Sequence, residues 1–409
     1  MSKDAKNVPA LRFKGYSDAW EKRKFVQMLN NSDGLRRGPF GSALKKAFFV
    51  KESSFVVYEQ QNAIYDRFNT RYRISEKKFA ELHNFEVLPG DFLLSGAGTI
   101  GRIARVPKGI EQGVFNQALI RLRINESMTD SEFFLQFIRS DFMQKNLTET
   151  NPGSAIQNLV PMSELKNWTV RTPVVNEQRK IGSLLKKIDS LIAATQHKID
   201  ALEQIKEKLS QNLFDQSWRF KEYSTPWKEN KLKDIVSAYS GGTPSANIRT
   251  YYGGHIPFIR SAEIHSSTTA LTLTQEGLQN SSAKLVKTGD ILYALYGANS
   301  GDVDRSKING AINQAILAMR PSKENDPNFI LFQLMRMKDK IVSTYLQGGQ
   351  GNLSGRLILA LNLDMPESTL EQRTIGRLLQ LLCELIGVNQ SKYSQLELLK
   401  KSLLQNLFV

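Results

Sequence analysis

The residues that most invite a chemical reading are Gly96-Ala97-Gly98-Thr99-Ile100-Gly101, which satisfy G-x-G-x-x-G directly after the apolar run Phe92-Leu93-Leu94. In a dinucleotide site such glycines let a backbone close round a pyrophosphate at a helix N-terminus. The residues after Gly101 rule that chemistry out. Pro107 arrives too soon for the required helix, and no βαβ unit with a suitably placed acid comes after it. Further along, Gly297 and Gly301 stand in a similar setting, Tyr296-Gly297-Ala298-Asn299-Ser300-Gly301-Asp302, without the spacing. Turn geometry, with close backbone approach to a ligand, accounts for glycine in both places.

Other catalytic constellations do not assemble. Asp326-Pro327-Asn328-Phe329 is superficially similar to the D-P-P-F with which amino-methylating DNA methyltransferases hold an extruded base, but it lacks the second proline and reads as a helix start. The four histidines, His83, His197, His255 and His265, are scattered. The single cysteine, Cys383, lies in the apolar run LLQLLCELIG and reads as a core residue, so a disulfide framework or cysteine zinc site within the chain is excluded. P-loop and H-E-x-x-H motifs are missing too, which argues against ATPase, metalloprotease, nuclease and methyl-transfer sites together.

What remains is positive charge on polar loops. Fifty-five Lys and Arg against 40 Asp and Glu give a net charge of +15, which favours a polyanion as partner. Nucleic acid is the default candidate, with a solubilising surface charge as the alternative. In the first half the candidates are Arg36, Arg37, Lys45 and Lys46, then Arg67, Arg71 and Arg73, then Ser154, Gln157 and Asn158. The second half offers Thr243, Ser245, Arg249, Tyr251 and Tyr252, then Arg260, Ser261 and Glu263, then Gln347, Gln350 and Asn352. Arg and Lys supply salt-sensitive affinity through phosphates, while Arg, Asn, Gln and Glu on rigid loops discriminate base edges.

The elements that must position these loops are written twice. RFKGYSDAW from Arg12 returns as RFKEYSTPW from Arg219, PGDFLL from Pro89 as TGDILY from Thr288, and Asn-Gln-Ala occurs at Asn116 and Asn313. NEQRKIGSLLKKI from Asn176 matches LEQRTIGRLLQLL from Leu370, and each run ends in QNLF, at Gln211 and Gln405, without a gap. Apolar residues recur at threes and fours, the mark of an amphipathic helix. In the first run the expected pairing seam is Ile181, Leu185, Ile188, Ile192, Ile199, Leu202 and Leu209, with Leu184, Leu191, Ile205 and Leu213 in the same periodic series. In the second it is Ile375, Leu379, Leu382, Ile386, Tyr393, Leu396 and Leu403, accompanied by Leu378, Leu385, Leu399 and Leu407.

Ser368 with Glu371 reads as a capping box, and Asn176 with Glu177 as a cap and first-turn acid. A rod with one apolar seam must bury it, most economically against its copy as a coiled coil. The Gly-rich, β-branched and aromatic segments between read as mixed α/β domains of short strands, each with one internal helix started by Asp130 or Asp326. The expected fold is therefore α/β (α+β), two mixed domains separated by a pair of long antiparallel coiled-coil helices in a pseudo-twofold repeat. The boundaries run 1–174, 175–216 for the central helix, 217–367, and 368–409 for the C-terminal helix. With no run of roughly 20 apolar residues and no secretion signal, a cytoplasmic chain with no membrane contact is expected.

Taken together, the two variable domains, the repeated E-Q-R-x-I-G-x-L-L helix starts and SGGTPS followed by YYGGHIPFIRSAEI resemble the specificity subunit of type I restriction-modification systems over essentially the whole chain. That resemblance implies a non-catalytic subunit whose two target-recognition domains each read half of a bipartite DNA target. It implies helices that set the gap and dock two adenine-N6 methyltransferase subunits, with restriction (translocase) subunits completing the assembly. S-adenosylmethionine and ATP with Mg²⁺ are expected on those partners and no cofactor on this chain, in a bacterial, nucleoid-associated setting. The rivals are a stand-alone DNA-modifying enzyme and a coiled-coil scaffold for RNA or protein; donor binding by the isolated chain and DNA-against-RNA competition separate them.

Overall fold

The computed structural model describes residues 8–148, 161–346 and 352–408. Two helices dominate it, Val175–Phe214 and Thr369–Asn406, of 40 and 38 residues. The chain folds as two compact units, Met1–Gln196 with Ser391–Val409, and His197–Gln390, so each unit owns one domain and a portion of both long helices.

Within the first unit, strands Leu35–Arg37, Leu119–Leu122, Phe92–Ser95 and Ile103–Arg105 lie side by side in that order, every pair antiparallel. A second sheet is built round a parallel pair, Phe55–Tyr58 beside Gly113–Phe115. A two-stranded ribbon, Glu21–Lys24 with Thr169–Thr172, leads into the long helix. The second unit repeats the plan. Its first sheet runs Val236–Ser240, Ile316–Pro321, Ile291–Ala294, Val303–Arg305; its parallel pair is Tyr252–Ile259 beside Gly310–Ile312; its ribbon is Lys228–Lys231 with Asn362–Met365.

The repeated motifs are what fasten each domain to its helix. Arg12 donates through Nε and Nη2 to the two carboxylate oxygens of Glu177 at 2.7 and 2.9 Å, and Glu177 is fully buried. Arg219 grips Glu371 identically at 2.7 and 2.8 Å, with the Trp227 indole N–H adding a third bond at 3.1 Å. Next in the motif, the Gln178 side-chain oxygen accepts from the backbone N–H of Asp130 at 2.9 Å, and Gln372 does the same for Asp326 at 2.8 Å. Those aspartates cap Ser131–Arg139 and Pro327–Leu346, as their spacing predicts. The motif glycines let the capped helix start touch the rod: a Cβ on Gly182 would fall 2.6 Å from the Phe133 nitrogen, and one on Gly376 2.6 Å from Asp326 Oδ1.

Two expected caps differ. Ser368 Oγ accepts from the Glu371 N–H at 3.3 Å, but the Glu371 side chain does not reach back, because the buried pair with Arg219 claims it. Asn176 is already inside its helix, which begins at Val175, and accepts from Arg179 instead.

The seams of the rods are divided between two jobs. In the first unit Ile181, Leu185 and Ile188 are buried among Phe133, Phe137, Leu403, Leu407 and Phe408, and Asp189 pairs with Lys400 at 2.7 Å. Moving up one helix therefore means moving down the other, so the pairing there is antiparallel, and it shares its core with the recognition domain. In the second unit Leu213 and Phe214 share a core with Ile375, Leu379 and Phe329, with Leu209 packed at its edge. Ile199 and Ile386 are buried, and Ile192, Leu202, Leu382, Tyr393 and Leu396 half-buried. Leu191, Ile205, Leu385 and Leu399, periodic in sequence, are instead exposed on the flanks of the rods.

The second unit also carries a histidine tie: His265 Nδ1 lies 2.9 Å from Asp304, with Asp302 near its Nε2, Lys307 donating to the His265 carbonyl and Lys338 paired with Asp302. The bond to Asp304 raises the imidazole above its ordinary pKa, burial opposing it and Asp302 assisting.

These contacts yield two expected outcomes. Arg12→Ala strands a buried carboxylate, and we expect a loss of about 3 kcal/mol in urea denaturation, with a similar loss for Arg219→Ala in the other unit. An Arg12→Ala chain as stable as the parent refutes the clamp. Because His265 gains affinity for its proton on folding, its contribution is fully present below the unfolded value of about 6.5 and fades as pH rises through the higher folded value. The thermal stability of the parent relative to His265→Gln should accordingly shrink between mildly acid and alkaline pH; a constant difference removes the tie.

Candidate nucleic-acid interface

The connections that leave strands Leu35–Arg37 and Val236–Ser240 carry Lys45 and Lys46 in the first unit and Thr243, Ser245, Arg249 and Tyr251 in the second. In the first unit the connection spans residues 38–48, ending at strand Phe49–Val50; in the second, residues 241–251, ending at Tyr252–Ile259. The two loops share little sequence but occupy one topological position. Each is pressed onto a neighbouring backbone where no side chain fits. A Cβ on Gly38 would sit 1.9 Å from the Asn116 carbonyl oxygen, and one on Gly241 1.9 Å from that of Ile312.

The first loop thus lies on the Asn-Gln-Ala turn at Asn116, and the second on Ile312, the strand residue just before that turn; in each domain the turn joins the two sheets. Asn116 Oδ1 accepts from the Ala118 N–H at 3.1 Å and Asn313 Oδ1 from Ala315 at 3.1 Å. The alanine carbonyls accept from Gly96 at 2.7 Å and from Leu295 at 2.8 Å. Fixed at both ends, the turn leaves its middle residue, Gln117 or Gln314, exposed. Gln314 Oε1 accepts from the Thr243 hydroxyl at 2.6 Å.

The glycine-rich candidate beside this turn is a hairpin connection. Strand Phe92–Ser95 returns antiparallel as Ile103–Arg105, and Gly98 and Gly101 take left-handed φ of 67° and 80°, matched by Gly297 and Gly301 at 83° and 89°. The glycine loop runs into a strand and not into a helix start, so the dinucleotide arrangement that needs a helix directly after it is closed on geometry. The Gly-Asp motif nearby is a fastening: Asp91 accepts from Arg123 at 2.7 and 2.9 Å, and Asp290 from Arg320 at 2.9 and 2.7 Å.

The sequence-selected residues divide into two groups. Arg37, Lys45, Lys46 and Arg67 are exposed and make no ion pair among the described residues, while Arg71 is exposed but pairs with Glu59 at 3.0 Å and lies over the Tyr72 ring. Arg36 is held by Asp33 at 2.9 Å and Arg73 by Glu111 at 2.7 Å, so these two charges are spent inside the domain. In the second unit Thr243, Ser245, Arg249 and Asn352 are exposed. Tyr251 and Tyr252 are half-buried, and the Tyr252 hydroxyl donates to the Pro244 carbonyl at 2.6 Å, bracing the loop.

Arg260 and Glu263 pair with each other at 3.0 Å across the short turn Ser261–Glu263, in which Ser261 is half-buried. Burial pushes the Glu263 carboxyl up, but Arg260 and the N–H groups of Ala270 and Arg260 outweigh it and hold the group below the usual range. Ser154, Gln157, Asn158, Gln347 and Gln350 lie outside the described residues. Gln117 and Gln314, on which the loops converge, are residues that the sequence marks only by their repetition. Among the described residues no helix is long and apolar enough to cross a membrane.

The model of the type I restriction modification DNA specificity domain matches residues 45–204 and 224–398. Among curated relatives, a specificity subunit assigned to the type I restriction enzyme MjaX of Methanocaldococcus jannaschii is 24% identical over 353 residues, covering 81% of this chain and 80% of its own. The MjaVIII specificity subunit of the same organism is 24% identical over 380 residues and 87% of both chains. The fold is similar to that of the type I restriction-modification S subunit from M. genitalium, with a TM-score of 0.67, 17% identity and coverage of 98% of this chain and 99% of that one. With both repeats matched, the chain belongs to the type I restriction-modification DNA specificity family, as a non-catalytic specificity subunit that carries two target-recognition domains.

Proposed function

We propose that each domain reads one half of a bipartite duplex-DNA target and that the long helices set the gap between the halves. The observation that carries this is the repetition of one presenting device, a loop pressed by glycine onto backbone at or just before an Asn-Gln-Ala turn, with different residues on the loop in each unit. Arg37, Lys45, Lys46 and Arg67 in the first unit, and Arg249 in the second, are available to meet phosphates. Ser245 and Asn352 supply polar groups for base edges or sugar. Arg36, Arg73, Arg260 and Glu263 act one step back, shaping the loops through their internal pairs.

The same helices would dock two adenine-N6 methyltransferase subunits, which bring S-adenosylmethionine, while restriction subunits bring ATP and Mg²⁺. Docking is supported by what the motif leaves over. Its Glu, Gln, Ile and Gly are consumed by the fold, whereas Arg179 and Arg373 are exposed at equivalent positions. Leu191 with Leu385 and Ile205 with Leu399 add exposed apolar side chains, again at matched places. A chain similar to this one, at a TM-score of 0.52 and 16% identity, comes from work on complex assembly and conformational transition of the type I R-M system.

Mapping methylated adenines in cells that express the chain with its methyltransferase is expected to return a two-part motif. Deleting one heptad from each helix, with the seams kept in phase, should change the gap and leave both halves intact; an unchanged gap disproves the ruler. Reversing charge at Arg179 and Arg373 together should abolish co-purification of the methyltransferase while DNA binding by the chain persists. Undiminished co-purification would remove those arginines from the docking face.

A further inference from the structure

Within the domains, Gln117 and Gln314 are a repeated pair of side chains that the fold leaves exposed. The Asp of Gly-Asp is taken by an arginine, the Glu and Gln of the helix start are bonded, and the Asn of Asn-Gln-Ala closes its own turn. Both middle glutamines are exposed; Gln117 makes no side-chain hydrogen bond among the described residues, and Gln314 only that with Thr243. A carboxamide on a rigid turn has a complement: its NH₂ donates to N7 of adenine and its oxygen accepts from the N6 amino group.

What stands beside each glutamine matches the other base of that pair. Phe40 is 87% exposed, at the tip of the loop between Gly38 and Gly41, and with Arg37, Phe85 and Gln117 it bounds a cavity of ≈ 550 Å³. A phenyl ring held in water loses the favourable free energy of apolar burial, and the thymine 5-methyl is an apolar surface offered in the major groove. In the second unit Thr243 fills the same role with its methyl group, while its hydroxyl orients the Gln314 carboxamide. The carbonyl oxygen has a second lone pair left for the adenine amino group.

We propose that Gln117 with Phe40, and Gln314 with Thr243, each read one A·T pair, so that the two otherwise different half-sites share an A·T position set by the same turn. This rests on the half-site reading, and methylome mapping separates the two. If the unaltered chain yields no two-part motif, the half-site reading falls and this inference with it. Given a two-part motif, Gln117→Ala should make one A·T position of one half degenerate, leave the other half untouched, and weaken cognate binding about tenfold to a hundredfold. Gln314→Ala should do the same in the opposite half.

Gln117→Glu provides a readout that a structural role would not move: a carboxylate accepts from the cytosine amino group, so preference at that one position should turn from adenine to cytosine. An unchanged motif in Gln117→Ala overturns the proposal. So does loss of methylation in Gln117→Ala without any changed preference in Gln117→Glu.

Discussion

Taking a carboxylate out of water is costly unless a cation accompanies it in good geometry. Each unit does this at the first turn of a long helix, with Arg12 on Glu177 and Arg219 on Glu371, and again in its sheet, with Arg123 on Asp91 and Arg320 on Asp290. Everything that reads or presents is hung from the pair at the helix. The arginine belongs to the segment that precedes the domain and the glutamate to the rod that comes after it, so one pair closes the domain between its two ends. The adjacent glutamine then holds the start of the internal helix, and the motif glycine lets that helix press against the rod. A rotation of the domain on its rod would have to break all of these contacts together.

The division between fixed and variable parts follows from that arrangement. Positions that fasten the domain to the rod are constrained by hydrogen-bond geometry and by contacts too close for a Cβ, and there the repeats carry the same residues: Arg12 and Arg219, Asp130 and Asp326, Glu177 and Glu371, Gln178 and Gln372, Gly182 and Gly376. The loops 38–48 and 241–251 share a close glycine contact, at Gly38 and Gly241, and their other contacts differ between the units, as with the Tyr252 bond to Pro244. Loops held in this way can change without disturbing the core, as is general for loops on a rigid scaffold.

Much of this was legible in the sequence because it rests on local patterns. The rods, the caps at Asp130 and Asp326, and the turn character of the Gly96–Gly101 segment follow from spacing, capping chemistry and the absence of a following helix. What escaped depends on which side chains meet in three dimensions. Glu371 follows the capping-box pattern yet turns to Arg219, 152 residues away, because a buried ion pair outcompetes a solvent-facing cap. Arg36 and Arg37 are indistinguishable as a dipeptide, but successive strand residues point to opposite faces, and only Arg36 meets Asp33. Leu191 and Ile205 have the right period and the wrong phase, since the seam is set jointly by the domain and the second helix.

The first unit is not contiguous in the chain, and that bears on synthesis. Its core includes Leu403, Leu407 and Phe408, and the Leu11 N–H donates to the carbonyl of Asn406 at 3.0 Å, as Trp218 donates to Asn212 at 3.1 Å in the second unit. Domains usually complete in the order in which they leave the ribosome. Here the order is reversed, because the second unit has all its residues by Gln390 while the first waits for the segment that begins at Ser391. Until the segment from Ser391 has been made, the first unit lacks Leu403, Leu407 and Phe408, and part of its core stays unfilled.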